Sequence, residues 1–127
     1  MKPLTGIRIL DFTTLLPGPL ATLMLSDAGA EVIKIEKIGG EEMRKSEPKI
    51  CNDSILFAVL NRGKKSIEVN LKNPVYREKI KKLIKQSDVI IEQFRPGVME
   101  KLGIGWKQVK KLNKKIVYCS ITGYGQD

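Results

Sequence analysis

Five short apolar runs recur along the chain, and most are separated by segments with a helical period. They are GIRILDF (6–12), EVIKIEK (31–37), SIEVNLK (66–72), DVIIEQF (88–94) and KIVYCSITG (115–123). The third alternates, with Ile67, Val69 and Leu71 on one face. The last two are nearly continuous, as strands covered on both faces are. PGPLATLMLSDAGA places Leu20, Leu23, Met24 and Ala28 on one helical face, with Pro19 in the first turn and Gly29 as a cap. NPVYREKIKKLIKQS opens on Asn73 and Pro74. Its buried face is predicted to be Tyr76, Ile80, Leu83 and Ile84, with Lys79, Lys81, Lys82 and Lys85 in solvent. Shorter helices are predicted over 54–62 and 106–113, and 38–53 reads as a polar loop. Strands alternating with helices imply βαβ units. The expected fold is therefore an α/β, Rossmann-like, mostly parallel sheet with helices on both faces.

With 127 residues, 42% of them hydrophobic, the chain has the length and apolar content of a single domain. No apolar run reaches the roughly 18 residues that a membrane span needs. MKPLTGIRILDF has neither the apolar stretch nor the cleavage site of a signal peptide, so a cytoplasmic protein is expected. Histidine is absent, and the two cysteines, Cys51 and Cys119, are read as reduced, buried thiols. That leaves no imidazole base and no expected metal site. The net charge of +9 is uneven. Residues 1–63 carry eight basic and eight acidic side chains, whereas residues 64–127 carry fifteen and six. A basic half points to an anionic partner, either nucleic acid or a phosphorylated small molecule. The few aromatic residues show no stacking cluster, which argues against nucleic acid.

In open α/β sheets, ligands bind beyond the carboxyl ends of the strands. Those ends carry Leu15-Leu16-Pro17-Gly18-Pro19, then Glu36-Lys37 with Gly39-Gly40, and then Leu71-Lys72. Next come Gln93-Phe94-Arg95-Pro96-Gly97 with Lys101 one turn on, and finally Gly123-Tyr124-Gly125. Lysines beside apolar and aromatic groups can hold the phosphates and the flat base of a nucleotide. The first turn lacks the G-x-G-x-x-G of a dinucleotide site, and no G-x-x-x-x-G-K-[ST] loop is present. Glu36 occupies the place of a ribose-binding acid, but without that turn it carries no such meaning.

The segments LTGIRILDFTTLLPGPLATLMLSDAGAEVIKIEK, LNRGKKSIEVNLK, EQFRPGVMEKLGIGW and LNKKIVYCSITGYGQ together resemble the class III CoA-transferase (CaiB/BaiF) family. That family includes formyl-CoA transferase, carnitine CoA-transferase and 2-methylacyl-CoA racemase. The resemblance covers nearly the whole chain but only the N-terminal third of such an enzyme. It implies that residues 1–127 are the N-terminal, CoA-binding part of the large domain of a longer enzyme. The positions for adenine and phosphate fall on Lys37, Leu71, Lys72, Gln93, Phe94, Lys101 and Leu102. Leu16 and Pro17 would lie near the thioester end, and Tyr124 near the cleft. Many relatives have arginine where Lys37 and Lys101 stand, so the bidentate fork is lost. Arg95 is open to two roles, pairing with phosphate or holding an acidic neighbour.

The resemblance further implies transfer of CoA between an acyl-CoA and a carboxylic acid. An aspartate would attack the thioester carbonyl and pass through a mixed anhydride to an aspartyl-CoA intermediate. In the racemases a His and an Asp exchange the proton α to the thioester instead. Either catalytic set would lie beyond residue 127, so no catalytic residue is expected in this chain, and the chain alone is expected to be inactive. LLPGP leans toward racemase-like members, and a CoA-binding module without chemistry is the remaining alternative. The full-length family forms interlocked homodimers. No metal, nucleic acid or membrane partner is expected.

Overall fold

A computed structural model describes residues 1–127. Its main sheet has five strands: β1 (Arg8–Phe12), β2 (Glu31–Glu36), β5 (Lys65–Glu68), β6 (Val89–Glu92) and β7 (Val117–Ser120). They lie in the order β5-β2-β1-β6-β7, and all four pairings are parallel. The chain builds outward from β1 to β2 and β5, then returns to β1's other side for β6 and β7. The order therefore reverses between β1 and β6, where a crevice opens in sheets of this kind.

Alternation along the strands divides the core. Leu10, Phe12, Ile33, Ile35 and Ile90 point to one face, where α3 (Pro74–Ile84), α4 (Val98–Lys101) and α5 (Trp106–Leu112) bury Ile80, Ile84, Met99 and Val109 against them. Ile9, Val32 and Ile91 point to the other face, with Leu25 of α1 (Pro17–Asp27) packed on them. Helices thus cover both faces, as the alternation of elements predicts. In α3 the predicted cap is present, with Asn73 Oδ1 accepting from Val75 N at 2.9 Å. Ile80 and Ile84 are buried, while Tyr76 and Leu83 are half-buried against the same core.

Four expectations need correction. The buried side of α1 is Gly18, Pro19, Thr22 and Leu23, while Leu20 and Met24 are 40% and 65% exposed. The sheet beneath its first turns is polar. Thr22 Oγ1 donates to Asp11 Oδ2 at 2.5 Å, and a side chain at Gly18 would overlap Thr13. These contacts set the helix's rotation, which its apolar spacing alone does not. The third strand stops at Glu68, because Asn70 Oδ1 accepts from Lys72 N at 3.1 Å and turns the chain. The last strand lies at the sheet edge, so Val117 and Cys119 are exposed. Both cysteines are free, as expected, but neither is buried. The 38–53 loop holds a 3-10 turn at Glu42–Lys45 and a small hairpin of β3 (Lys49–Ile50) and β4 (Asp53–Ser54). Cys51 and Asn52, its two tip residues, have φ of 50° and 69°, the left-handed pair that a tight hairpin requires. Ser54 then caps α2 (Ile55–Asn61), which packs on α1.

Ile84→Ala, at a fully buried site, is expected to lower unfolding free energy by about 2–5 kcal/mol. Ile67→Ala, on the edge strand, should cost less than half as much. Urea denaturation of both variants checks the contrast.

Candidate functional site

At the carboxyl ends of β1, β2, β5 and β6 a cleft of about 700 Å³ opens. This is the size range of small-molecule sites. Its apolar wall is built from Phe12, Ile35, Val69, Leu71, Phe94, Val98 and Leu102, and Leu15 lies at its mouth. Lys37 and Lys72 supply its cations. Of the ten residues predicted to bind, five line it: Lys37, Leu71, Lys72, Phe94 and Leu102. Phe94 leaves β6 half-buried against the core, and Gly97, at φ 85°, turns the chain into α4. That turn brings Val98 and Leu102, one helical turn apart, to the same wall.

The other five sit differently. Gln93 is a clamp. Its Nε2 donates to Thr14 O at 3.0 Å and its Oε1 accepts from Gly18 N at 3.2 Å, so it ties the end of β6 to both sides of the first turn. Leu16 and Pro17 start α1 on its exposed side. Lys101 is exposed at the end of α4, beside Leu102. Tyr124 stands wholly in solvent, outside the cleft lining. Arg95 is exposed and has no carboxylate partner. Leu15, read from sequence only as the start of the turn after the first strand, lines the cleft as well. Leu15 has φ 62°, a conformation a leucine side chain rarely takes, and it is held there between the two groups that Gln93 clamps. No sequence pattern flags a left-handed leucine.

Beneath the cleft lies a group of buried charges that the strand pattern does not announce. Lys34 is 1% exposed, and its Nζ donates to Thr13 O at 2.8 Å. The same Nζ lies 2.8 Å from Glu41 Oε2 as an ion pair, while Glu41 Oε1 meets no donor. Lys64 Nζ donates to Pro19 O and Asn61 Oδ1, both at 2.9 Å, and lies 3.4 Å from Asp11 Oδ2. Burial, aided by the charge of Lys34, lowers its pKa below the usual lysine value against the pull of Asp11. Asp11 also accepts from Thr13 N, Thr13 Oγ1 and Thr22 Oγ1. Glu36 takes a two-pronged bond from Arg44, at 2.8 and 2.7 Å, and accepts from Ser66 Oγ and Glu41 N. Burial alone would raise its pKa, but these donors, Arg44 foremost, outweigh it and bring it down to about 2. The pattern suits structural support. Asp11, at the carboxyl end of β1, has both oxygens engaged. No group of three or more His, Cys, Asp or Glu is placed to hold a metal ion. A second hollow, of about 590 Å³, runs along β7 beside Trp106 and Tyr118, away from the strand ends that meet the first.

Sheet order, crevice and wall define an open parallel α/β protein with its cleft at the switch point. The chain belongs to CoA-transferase family III, whose family model matches residues 4–127. It is 48% identical over 128 residues to succinyl-CoA:glutarate CoA-transferase of Mus musculus, covering 99% of this chain and 29% of that protein. It is 44% identical over 126 residues to formyl-CoA:oxalate CoA-transferase of Bradyrhizobium diazoefficiens, covering 98% of this chain and 30% of that protein. A CAIB/BAIF family protein from Brucella suis has the same fold, with a TM-score of 0.94 at 34% identity over 99% of this chain and 35% of that one. A crystal structure from M. tuberculosis also aligns at a TM-score of 0.94, with 42% identity. The chain thus spans about three-tenths of the length of these curated relatives.

The Glu36 pairing makes stability depend on pH. Its folded pKa is depressed, so its contribution is present above the unfolded value of 4.5 and is lost as pH falls through about 2. That contribution is on the order of 2–3 kcal/mol once screening at the partly open Arg44 side is allowed for. Urea midpoints measured from pH 6 down to pH 2 should fall less steeply for Glu36→Gln than for wild type.

Proposed function

We propose that this chain is the N-terminal, CoA-binding part of a longer CoA-transferase, which moves CoA between an acyl-CoA and a carboxylic acid. The observation that carries this reading is the switch-point cleft. Its apolar and aromatic wall (Phe94, Leu71, Leu102) faces two lysines (Lys37, Lys72), as a base and its phosphates need. Phe94 and Leu102 would flank the adenine. Lys72 and Lys37 would meet phosphates, with Lys101 reaching in from α4. The turn at Leu16-Pro17 would lie toward the thioester, and Gln93 would hold that turn rather than touch the ligand. Tyr124 would reach the cleft only if its segment folds over.

The relatives described above are named as CoA-transferases, which favours CoA transfer over α-proton exchange. In this reading the acyl-CoA carbonyl is attacked by an aspartate carried beyond residue 127. The acyl–sulfur bond breaks to give a mixed anhydride and CoA thiolate. The thiolate then returns to the aspartyl carbonyl as the acyl carboxylate departs, leaving the aspartyl-CoA thioester. Asp11 does not fit the nucleophile's part, because it is buried and fully bonded. The complete enzyme would be a cytoplasmic interlocked homodimer.

Isothermal titration of the 127-residue chain with CoA tests the reading. Saturable binding is expected, and Lys72→Met should weaken it about tenfold through loss of a charge-assisted contact. Binding no tighter than that of an unrelated polyanion would overturn it. The same chain, incubated with an acyl-CoA and a carboxylate acceptor, is expected to show no CoA transfer above a protein-free control.

A further inference from the structure

Three glutamates line the cleft: Glu36, Glu41 and Glu42. A phosphate-binding wall containing three carboxylates is a contradiction unless the carboxylates are occupied. Glu36 is locked inward by Arg44, and Glu41 faces Lys34 in the buried layer. Glu42 differs, being 61% exposed and reaching back across the mouth to Lys37. The two form a close ion pair, and Lys45 approaches the other Glu42 oxygen at 3.5 Å. Of the two lysines in the wall, Lys72 has no carboxylate partner, whereas Lys37 is already neutralised.

We propose that Glu42 is an electrostatic gate on the CoA site, a built-in anion that a ligand phosphate must displace from Lys37. This rests on the CoA reading above. A phosphate would land first on the unpaired Lys72. Lys37 would then exchange Glu42 for the phosphate, and Glu42 would turn out to solvent. Because both partners are largely exposed, the exchange costs little and reverses readily. A neutral group at this position would leave the Lys37–Glu42 pair in place, and a more highly charged group gains more from the exchange. The pair therefore favours a multiply charged phosphate over weaker anions.

The test is CoA titration by calorimetry on wild type, Glu42→Gln, Glu42→Asp, Lys37→Met and the double variant Lys37→Met/Glu42→Gln. Glu47→Gln, a loss of charge at a more exposed glutamate outside the cleft lining, serves as control. At low salt Glu42→Gln should tighten CoA about two- to five-fold, the scale of an exposed ion pair. Glu42→Asp should bind as wild type, and Glu47→Gln should not tighten binding. In the Lys37→Met background the gain should vanish, because the effect runs through that side chain. It should also fade at high ionic strength. If wild type binds CoA and Glu42→Gln matches it, or if the gain survives without Lys37, the gate is refuted while the CoA site stands. If wild type does not bind CoA, the functional reading falls and the gate with it.

Discussion

The cleft depends on one buried cation. Lys34 sits mid-strand in β2, on the face where a sheet normally places valine or isoleucine. From there it reaches Thr13 O in the turn after β1 and Glu41 in the turn after β2. A buried ammonium costs several kcal/mol unless its partners are in place, so the two turns are fixed relative to each other by the charge between them. The same logic extends outward. Three carboxylates (Asp11, Glu36, Glu41) meet three cations (Lys64, Arg44, Lys34); two of the pairs tie the 38–53 loop to β2, and the third ties the segment before β5 to β1. An apolar filling of similar volume could be as stable, but it would not dictate where the loops end. The layer under the cleft is polar for reasons of geometry.

That layer also explains which parts of the molecule were legible in the sequence. Strand period and helix caps identified the sheet, its parallel sense and α3, because those elements follow local rules that hold wherever one face is buried. α1 resisted the same treatment. Its apolar spacing selects Leu20 and Met24 as the buried side, yet a helix that must place Thr22 on Asp11 and Gly18 against Thr13 turns that side to solvent. A hydrogen bond to Asp11, eleven positions before Thr22, and the close approach of Gly18 to Thr13 overrode the period. β5 failed at its end for a local reason, since Asn70's own side chain begins the turn. The two cysteines failed because edge position and hairpin tip are tertiary facts.

The candidate site divides along similar lines. Residues on the carboxyl ends of strands were located by topology, and Lys37, Leu71, Lys72, Phe94 and Leu102 do meet around one cleft. Gln93 lies in the same neighbourhood, where its amide bonds the first turn on both sides, a pairing no local sequence rule announces. Leu15 was legible only as part of the turn after the first strand, not in its conformation. Its left-handed backbone is imposed by a clamp whose other half lies 79 positions away in sequence, at Gln93.

The exposed apolar residues of α1 and α2 follow from the same arrangement. Leu16, Leu20 and Met24 lie on one helix, Leu56 and Val59 on the other, and the two helices pack together. Had the sheet beneath α1 been apolar, the helix would have turned Leu20 and Met24 down onto it and left its small residues outside. Because the layer under its first turns is charged, Gly18, Pro19 and Thr22 face inward there with Leu23, while Leu20 and Met24 face outward. The feature that orders the cleft therefore also leaves apolar side chains uncovered on the opposite side of α1. The two cannot be changed independently, since rotating α1 to bury Leu20 would remove Thr22 from Asp11 and open the turn that Gln93 holds. The charged layer thus fixes the loops at the strand ends and, through the same contacts, the rotation of α1.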